Sequence, residues 1–123
     1  MVLVDTSIWV SHFRETNYGL VDLLNNGEVV CHPFIVGELA CGNLKNRTGI
    51  ISLLEALPMA VLVEHKEVLA FIEGHNVMGK GLGYVDVHLL AATLLTGVSL
   101  WTLDKKLEKA AEELNCRHGQ KTR

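Results

Sequence analysis

The chain has no apolar stretch approaching the ~20 residues that a membrane-spanning helix needs. Met1–Asp5 also lacks the charged start and long apolar centre of a secretory signal, so a cytoplasmic protein without membrane association is expected. Cysteine is scarce and odd in number. Cys31, Cys41 and Cys116 show no C-x-x-C spacing, which argues against a disulfide framework or a structural zinc site and leaves buried free thiols as the expectation. There is no HExxH or other close histidine pair, so His32 and His88 are expected to make structural or supporting hydrogen bonds rather than act as bases. Internal repeats, low-complexity blocks and proline- or serine-rich linkers are absent too. Nor is positive charge in excess. The formal net charge is −3, which does not advertise nucleic-acid binding, although bulk charge does not exclude local basic patches.

What is present is a globular composition, 49% hydrophobic and 20% charged over 123 residues. A single domain spanning 1–123 is expected, with 116–123 as a flexible polar tail holding one short edge strand or none. Apolar runs predict strands at 2–5, 28–31, 59–63 and 99–102. Helical periodicity predicts helices over 6–15, 18–26, 33–42, 46–57, 65–76 and 84–96, with a last amphipathic one through Leu107, Ala110, Ala111 and Leu114. Thr6 or Ser7 can cap the first helix, Gly27 stops the second, Pro33 opens the third and Asn46 can cap the fourth. Helix 84–96 is apolar nearly all round and should be central, while Gly79–Gly83 should be a loop. Strands alternating with helices imply an α/β fold with a parallel sheet of four to five strands and helices on both faces.

Against this apolar background four acids stand out: Asp5, Glu38, Asp86 and Asp104. Burying even a neutral polar group unpaired costs roughly 2–7 kcal/mol, so carboxylates in apolar company need cations or hydrogen bonds. Asp5 and Asp104 follow predicted strands, where open parallel sheets gather ligands, yet each can also be a simple helix cap. Asp86 near a helix start can complement the helix dipole. Glu38 has Phe34, Ile35 and Cys41 as helical neighbours, an apolar face on which a solvated glutamate is not expected. One shared cation accounts for all four. Oxygen ligands without His or Cys suit Mg²⁺ or Mn²⁺.

The ordered motifs Leu3-Val4-Asp5-Thr6-Ser7, Val36-Gly37-Glu38-Leu39, Gly83–Ala91 and Leu100-Trp101-Thr102-Leu103-Asp104 resemble those of PIN-domain proteins, in particular the VapC-type toxins of toxin–antitoxin pairs. The resemblance spans the chain from end to end. It implies an α/β/α sandwich with the four acids in one pocket, and metal-dependent endonucleolytic cleavage of single-stranded regions in structured RNA such as tRNA or rRNA. Asp5, Asp86 and Asp104 would bind the metal, Glu38 directly or through water, with Thr6, Ser7 and Thr102 as supporting hydroxyls. One Mg²⁺ or Mn²⁺ site is implied. Lys105 and Lys106 follow Asp104, and Glu108 is a distant candidate, so a complete second site is not expected. The resemblance further implies a homodimer and a small antitoxin protein covering the pocket.

Arg14, Lys45, Arg47, Lys80 and Lys105 are the candidate RNA-binding cations. Lys80 stands in a glycine-rich segment that can admit phosphate or be a plain solvated turn. Trp9, Tyr84 and Trp101 are available for base stacking or core packing. Apolar stripes at Trp9-Val10-Phe13 and on 46–57 can face a partner or the core. A haloacid-dehalogenase phosphatase would need an aspartate two residues after Asp5, where Ser7 stands; a phosphoacceptor receiver would need an early acidic pair. The remaining alternatives are a catalytically silent PIN-like binding module and a PIN nuclease of RNA processing that is not a toxin.

Overall fold

Short β-branched and apolar segments pair side by side at the centre of the computed structural model, which describes residues 1–121. β1 (Val2–Val4) lies between β2 (Val29–Val30) and β3 (Ser99–Trp101), and all pairing is parallel. The register matches Leu3 with Val30 on one side and with Leu100 on the other. Val2, Leu3 and Val4 are all buried. Successive side chains of a strand point to opposite faces, so burial of all three requires cover on both faces of the sheet. Seven helices among the described residues supply it: α1 (Thr6–Arg14), α2 (Tyr18–Asn25), α3 (Pro33–Ala40), α4 (Arg47–Ala56), α5 (His65–His75), α6 (Tyr84–Thr96) and α7 (Lys105–Glu113). The expected α/β architecture is present. As expected from its unbroken apolar sequence, α6 is central, with every residue from Val87 to Thr93 buried. No described helix is long and apolar enough to cross a membrane.

The sheet is smaller at its edges than the sequence suggested. Of the expected strand 59–63, only Met59 pairs, through a single parallel bridge to Cys31. The Ala60 amide still donates to the Cys31 carbonyl at 2.8 Å, but the Val61 amide turns to Thr96 Oγ1 at 3.0 Å. That side-chain acceptor at the end of α6 diverts the chain, and Val61 and Leu62 are left about half exposed. At the opposite edge the expected polar tail is partly structured. Leu100 bridges Arg117, the Leu100 amide donates to the Cys116 carbonyl at 2.7 Å, and Cys116 is buried. The free backbone groups of β3 account for this, because an unpaired strand edge next to a short loop is satisfied by the chain that follows. Thr122 and Arg123, the end of that expected tail, lie outside the described residues.

Local details also depart from expectation. Asp5, not Thr6 or Ser7, occupies the N-cap position of α1, and its carboxylate makes no cap bond. Asn46 precedes α4 in the left-handed region at φ 52°, again without a side-chain cap. Caps appear instead at Asn17, His32 and Asp104. Of the three free cysteines Cys31 and Cys116 are buried, whereas Cys41 is exposed at the end of α3. Trp9 belongs to the core and Trp101 is half-buried against His118.

His32 connects sequence to stability most directly. Its Nδ1 accepts the Phe34 amide at 2.9 Å, its ring meets Phe34 edge-on at 5.0 Å, and the residue is fully buried. Burial, with a smaller contribution from His88, pushes its pKa down from 6.5 to about 4. The neutral ring is therefore what folds. Because the folded pKa lies below the unfolded one, its stabilisation is complete above pH 6.5 and is lost as pH falls toward 4. Urea unfolding between pH 7 and 4.5 should show a loss of about 1.4 kcal/mol per pH unit that His32→Asn, which keeps a cap acceptor, removes. An unchanged slope in the variant would refute this assignment.

Candidate active site

Parallel pairing brings the ends of β1 and β3 to the same edge of the sheet. The Asp5 amide donates to the Trp101 carbonyl at 2.9 Å, which sets Asp5 beside Thr102. Thr102 Oγ1 donates to Asp5 Oδ2 at 2.7 Å, and Ser7 Oγ donates to the same oxygen at 2.9 Å. With both hydroxyl protons committed, the 3.3 Å approach of Ser7 Oγ to Thr102 Oγ1 is a contact rather than a third bond. The hydroxyls accept in turn: Ser7 from the Leu103 amide and Thr102 from the Asp104 amide, each at 3.0 Å. Ser7 and Thr102 therefore tie the start of α1 to the turn that carries Asp104.

The other acids are held from their own elements. Asp104 Oδ1 caps α7 by accepting the Lys106 and Leu107 amides at 2.9 and 3.0 Å. Asp86, at the third position of α6, accepts the Gly83 amide at 3.0 Å, reaching back as a capping-box acid does. Glu38 accepts the Thr6 hydroxyl at 2.9 Å. Contrary to the apolar-face expectation, Glu38 is exposed, because the helix turns it away from Ile35 and toward Thr6. Asp5 is buried, Asp86 half-buried and Asp104 exposed.

Asp86 senses two of the other acids. Burial chiefly, then the charges of Asp104 and Asp5, push the Asp86 pKa above the usual carboxylate range, opposed by the Gly83 hydrogen bond. In each acid the hydrogen-bonded oxygen is a single one, and the second makes no protein hydrogen bond among the described residues. Yet no group of three or more His, Cys, Asp or Glu side chains among the described residues is close enough to hold a metal ion. Direct ligation by Asp5, Asp86 and Asp104 together, as expected from sequence, is thus not what these side-chain positions provide. Each carboxylate is anchored by its own amide or hydroxyl, which keeps the acids facing one region without converging on a point.

The candidate cations divide. Lys80 pairs with Glu113 at 2.5 Å, and Arg47 donates to the Gly42 carbonyl at 3.2 Å and to the Ala40 carbonyl, closing the end of α3. Both have partners within the protein. The Gly79–Gly83 segment packs on α7: a Cβ on Gly81, at φ 76°, would stand 2.8 Å from Lys106 Cδ. It is a packed turn that ends by presenting the Gly83 amide to Asp86. Lys105 is exposed beside Asp104. Arg14 and Lys45 line a cavity with Thr6 and Glu38. Among the stacking candidates only Tyr84 is well exposed, and its hydroxyl meets His65 Nδ1 at 2.6 Å. Sequence reading missed the Gly83 amide, although the three-residue spacing from Gly83 to Asp86 was its signal. It also missed the cavity, which no periodicity discloses.

Comparison with known proteins bears on this arrangement. The PIN domain family matches residues 2–113. Ribonuclease VapC32 of Mycobacterium tuberculosis, from strain CDC 1551 / Oshkosh and from strain ATCC 25618 / H37Rv, is 43% identical over 114 residues, 92% of this chain and 92% of the relative. All four acids and their supporting hydroxyls fall inside the family match. The chain belongs to the PIN-domain family.

Proposed function

We propose that the protein is a divalent-metal-dependent endoribonuclease acting as the toxin of a toxin–antitoxin pair. The observation that carries this reading is the group Asp5, Asp86 and Asp104 at strand and helix ends: Ser7 and Thr102 link Asp5 to the turn that carries Asp104, and Asp86 feels the charge of both. Its chemistry suits Mg²⁺ or Mn²⁺: oxygen donors only, each with one oxygen free of protein hydrogen bonds. The spacing suits an ion held by one or two carboxylates and several waters, the habit of Mg²⁺. Asp5 and Asp86 would hold it most directly, with Asp104 and Glu38 acting through water. When bound, the ion lowers the pKa of water and offsets charge on a scissile phosphodiester.

The chain's own residues do the rest. Ser7 and Thr102 hold Asp5 Oδ2, so its other oxygen stays aimed away from them. Gly83 does the same for Asp86. Glu38, steadied by Thr6 and open to solvent, is placed to accept a proton from attacking water. No side chain is needed as the nucleophile, so new 3′-hydroxyl and 5′-phosphate ends are expected on RNA. Structured RNA such as tRNA or rRNA is the proposed substrate, cleaved in the cytoplasm and spared when a small antitoxin protein covers the acids. Exposed Leu53, Val61, Leu62 and Leu95 offer apolar surface for pairing of two copies.

Incubating structured RNA with the purified protein and Mn²⁺ or Mg²⁺ should give metal-dependent cleavage that chelation stops. Asp5→Asn and Asp86→Asn should each lower it about a hundredfold or more. Intact RNA under several metals and substrates would instead indicate a silent binding module. Thr102→Val, which removes a donor to Asp5 without changing shape, should cost about 10–100-fold in metal affinity or activity.

Stability gives a readout independent of RNA. Since the folded pKa of Asp86 is raised, its ionised form opposes folding at neutral pH; this cost begins to fall as pH drops through the folded pKa, is gone below the unfolded 3.8, and is offset when a cation binds. Asp86→Asn should therefore raise the melting temperature of metal-free protein by a few degrees and shrink the rise that Mn²⁺ produces in the wild type. Equal melting temperatures with and without metal would count against the ion site.

A further inference from the structure

We propose that Tyr84 is the stacking platform for one unpaired RNA base near the scissile phosphodiester, an inference that rests on the ribonuclease reading. Tyr84 opens α6, next to Gly83, whose amide holds Asp86, and two residues before that acid. Two residues advance a helix about 3 Å along its axis, and a stacked strand advances about 3.4 Å per nucleotide. A base on Tyr84 therefore lies within about two nucleotides of a phosphodiester at the acids.

The chain has two tyrosines and both are exposed, Tyr18 at 75% and Tyr84 at 45%. Among the described residues only Tyr84 of the two has aromatic neighbours. Its ring stands nearly perpendicular to His88 at 4.6 Å between centroids and tilted against His65 at 5.6 Å. The Tyr84 hydroxyl meets His65 Nδ1 at 2.6 Å. His88 is itself fixed, buried and edge-on to Phe34 at 4.8 Å, and Phe34 meets the fully buried His32. A row of rings thus runs from the core to the surface and ends at Tyr84. An exposed hydroxyl gains little by exchanging water for a histidine, so the main effect of the bond to His65 is to hold the ring. A perpendicular contact covers an edge or one face and leaves another face open, and every base has a face to stack on it. A protein partner would take about 800 Å² of surface with little charge at its centre. The start of α5 beside the ring instead exposes Glu64, Lys66 and Glu67. A single neutral base needs one fixed ring and no wider apolar surface.

The test uses a 5′-fluorescein-labelled single-stranded RNA with a mapped cleavage site, and matched RNAs carrying one abasic residue at successive positions flanking it. In the wild type with Mn²⁺, one abasic position should raise KM about tenfold with kcat within about twofold. Tyr84→Leu, which keeps an apolar side chain without a stacking face, should raise KM for intact RNA about tenfold and ignore that abasic residue. Tyr84→Phe keeps the ring, so its KM should lie nearer the wild type and remain sensitive to the abasic residue. Tyr18→Leu on α2 should change neither. A wild-type KM that no abasic position alters refutes the platform without any variant. If Tyr84→Phe behaves as Tyr84→Leu does, the hydroxyl acts and not the ring, and the proposal is overturned. If wild type cleaves but Tyr84→Leu keeps its KM and its abasic response, the platform is refuted and the ribonuclease reading stands. If that variant instead changes only the sedimentation mass, the ring belongs to a contact between two copies and the proposal is likewise overturned. If wild type cleaves no RNA, both readings fall together.

Discussion

Thr102 Oγ1 and Asp5 Oδ2 are 97 positions apart in the chain and 2.7 Å apart in space, and the candidate active site depends on that bond. It is possible only because β1 and β3 pair in parallel with Val4 opposite Trp101, so that both strands end together. Thr102 then accepts the Asp104 amide, and Ser7 accepts the Leu103 amide while donating to Asp5. Two hydroxyls, each donating once and accepting once, join two strand ends and two helix starts. A slip of one residue in this pairing would send Thr102 to the opposite face of the sheet and leave Asp5 buried without its donors.

The arrangement sets stability against function. Carboxylates gathered at one edge repel one another, and burial adds to the cost at Asp86. The fold offsets this with local donors rather than with buried arginine. Amides at the starts of α6 and α7 and the hydroxyls at the start of α1 each hold one oxygen of an acid. Helix N-termini suit this role because their amides lack intrahelical partners and their dipoles favour negative charge. The other oxygens are left for a cation. The buried thiols Cys31 and Cys116, pushed up to about 11 by burial, stand apart from this chemistry and act as core.

Much of the fold was legible because its signals are local. Helix 84–96 could be read from an unbroken apolar sequence, and the all-buried strand 2–4 from its β-branched run and the acid that ends it. The run 59–63 looked equally convincing and was not a strand beyond Met59, since Thr96 competes for its next amide from α6. Residues 116–118 looked polar, with room for one short edge strand or none, and the open edge of β3 decides the matter by recruiting them. Glu38 was misjudged for a related reason. Its helical neighbours are apolar, but a helix face is wide enough that a hydroxyl from α1 draws the carboxylate outward.

The sequence by itself determined the α/β character, the identity of the four acids and their order along the chain. These follow from residue type and short-range spacing, which act before any tertiary contact forms. Tertiary structure alone decided which oxygens are tied, which remain open, and which cations are spent on Glu113 and on the carbonyls of α3. It also decided that Arg14 and Lys45 share a groove with Glu38. Those outcomes depend on the register of β1 with β3 and on the packing of α1, α3 and α4, contacts between residues far apart in the chain that no local pattern encodes.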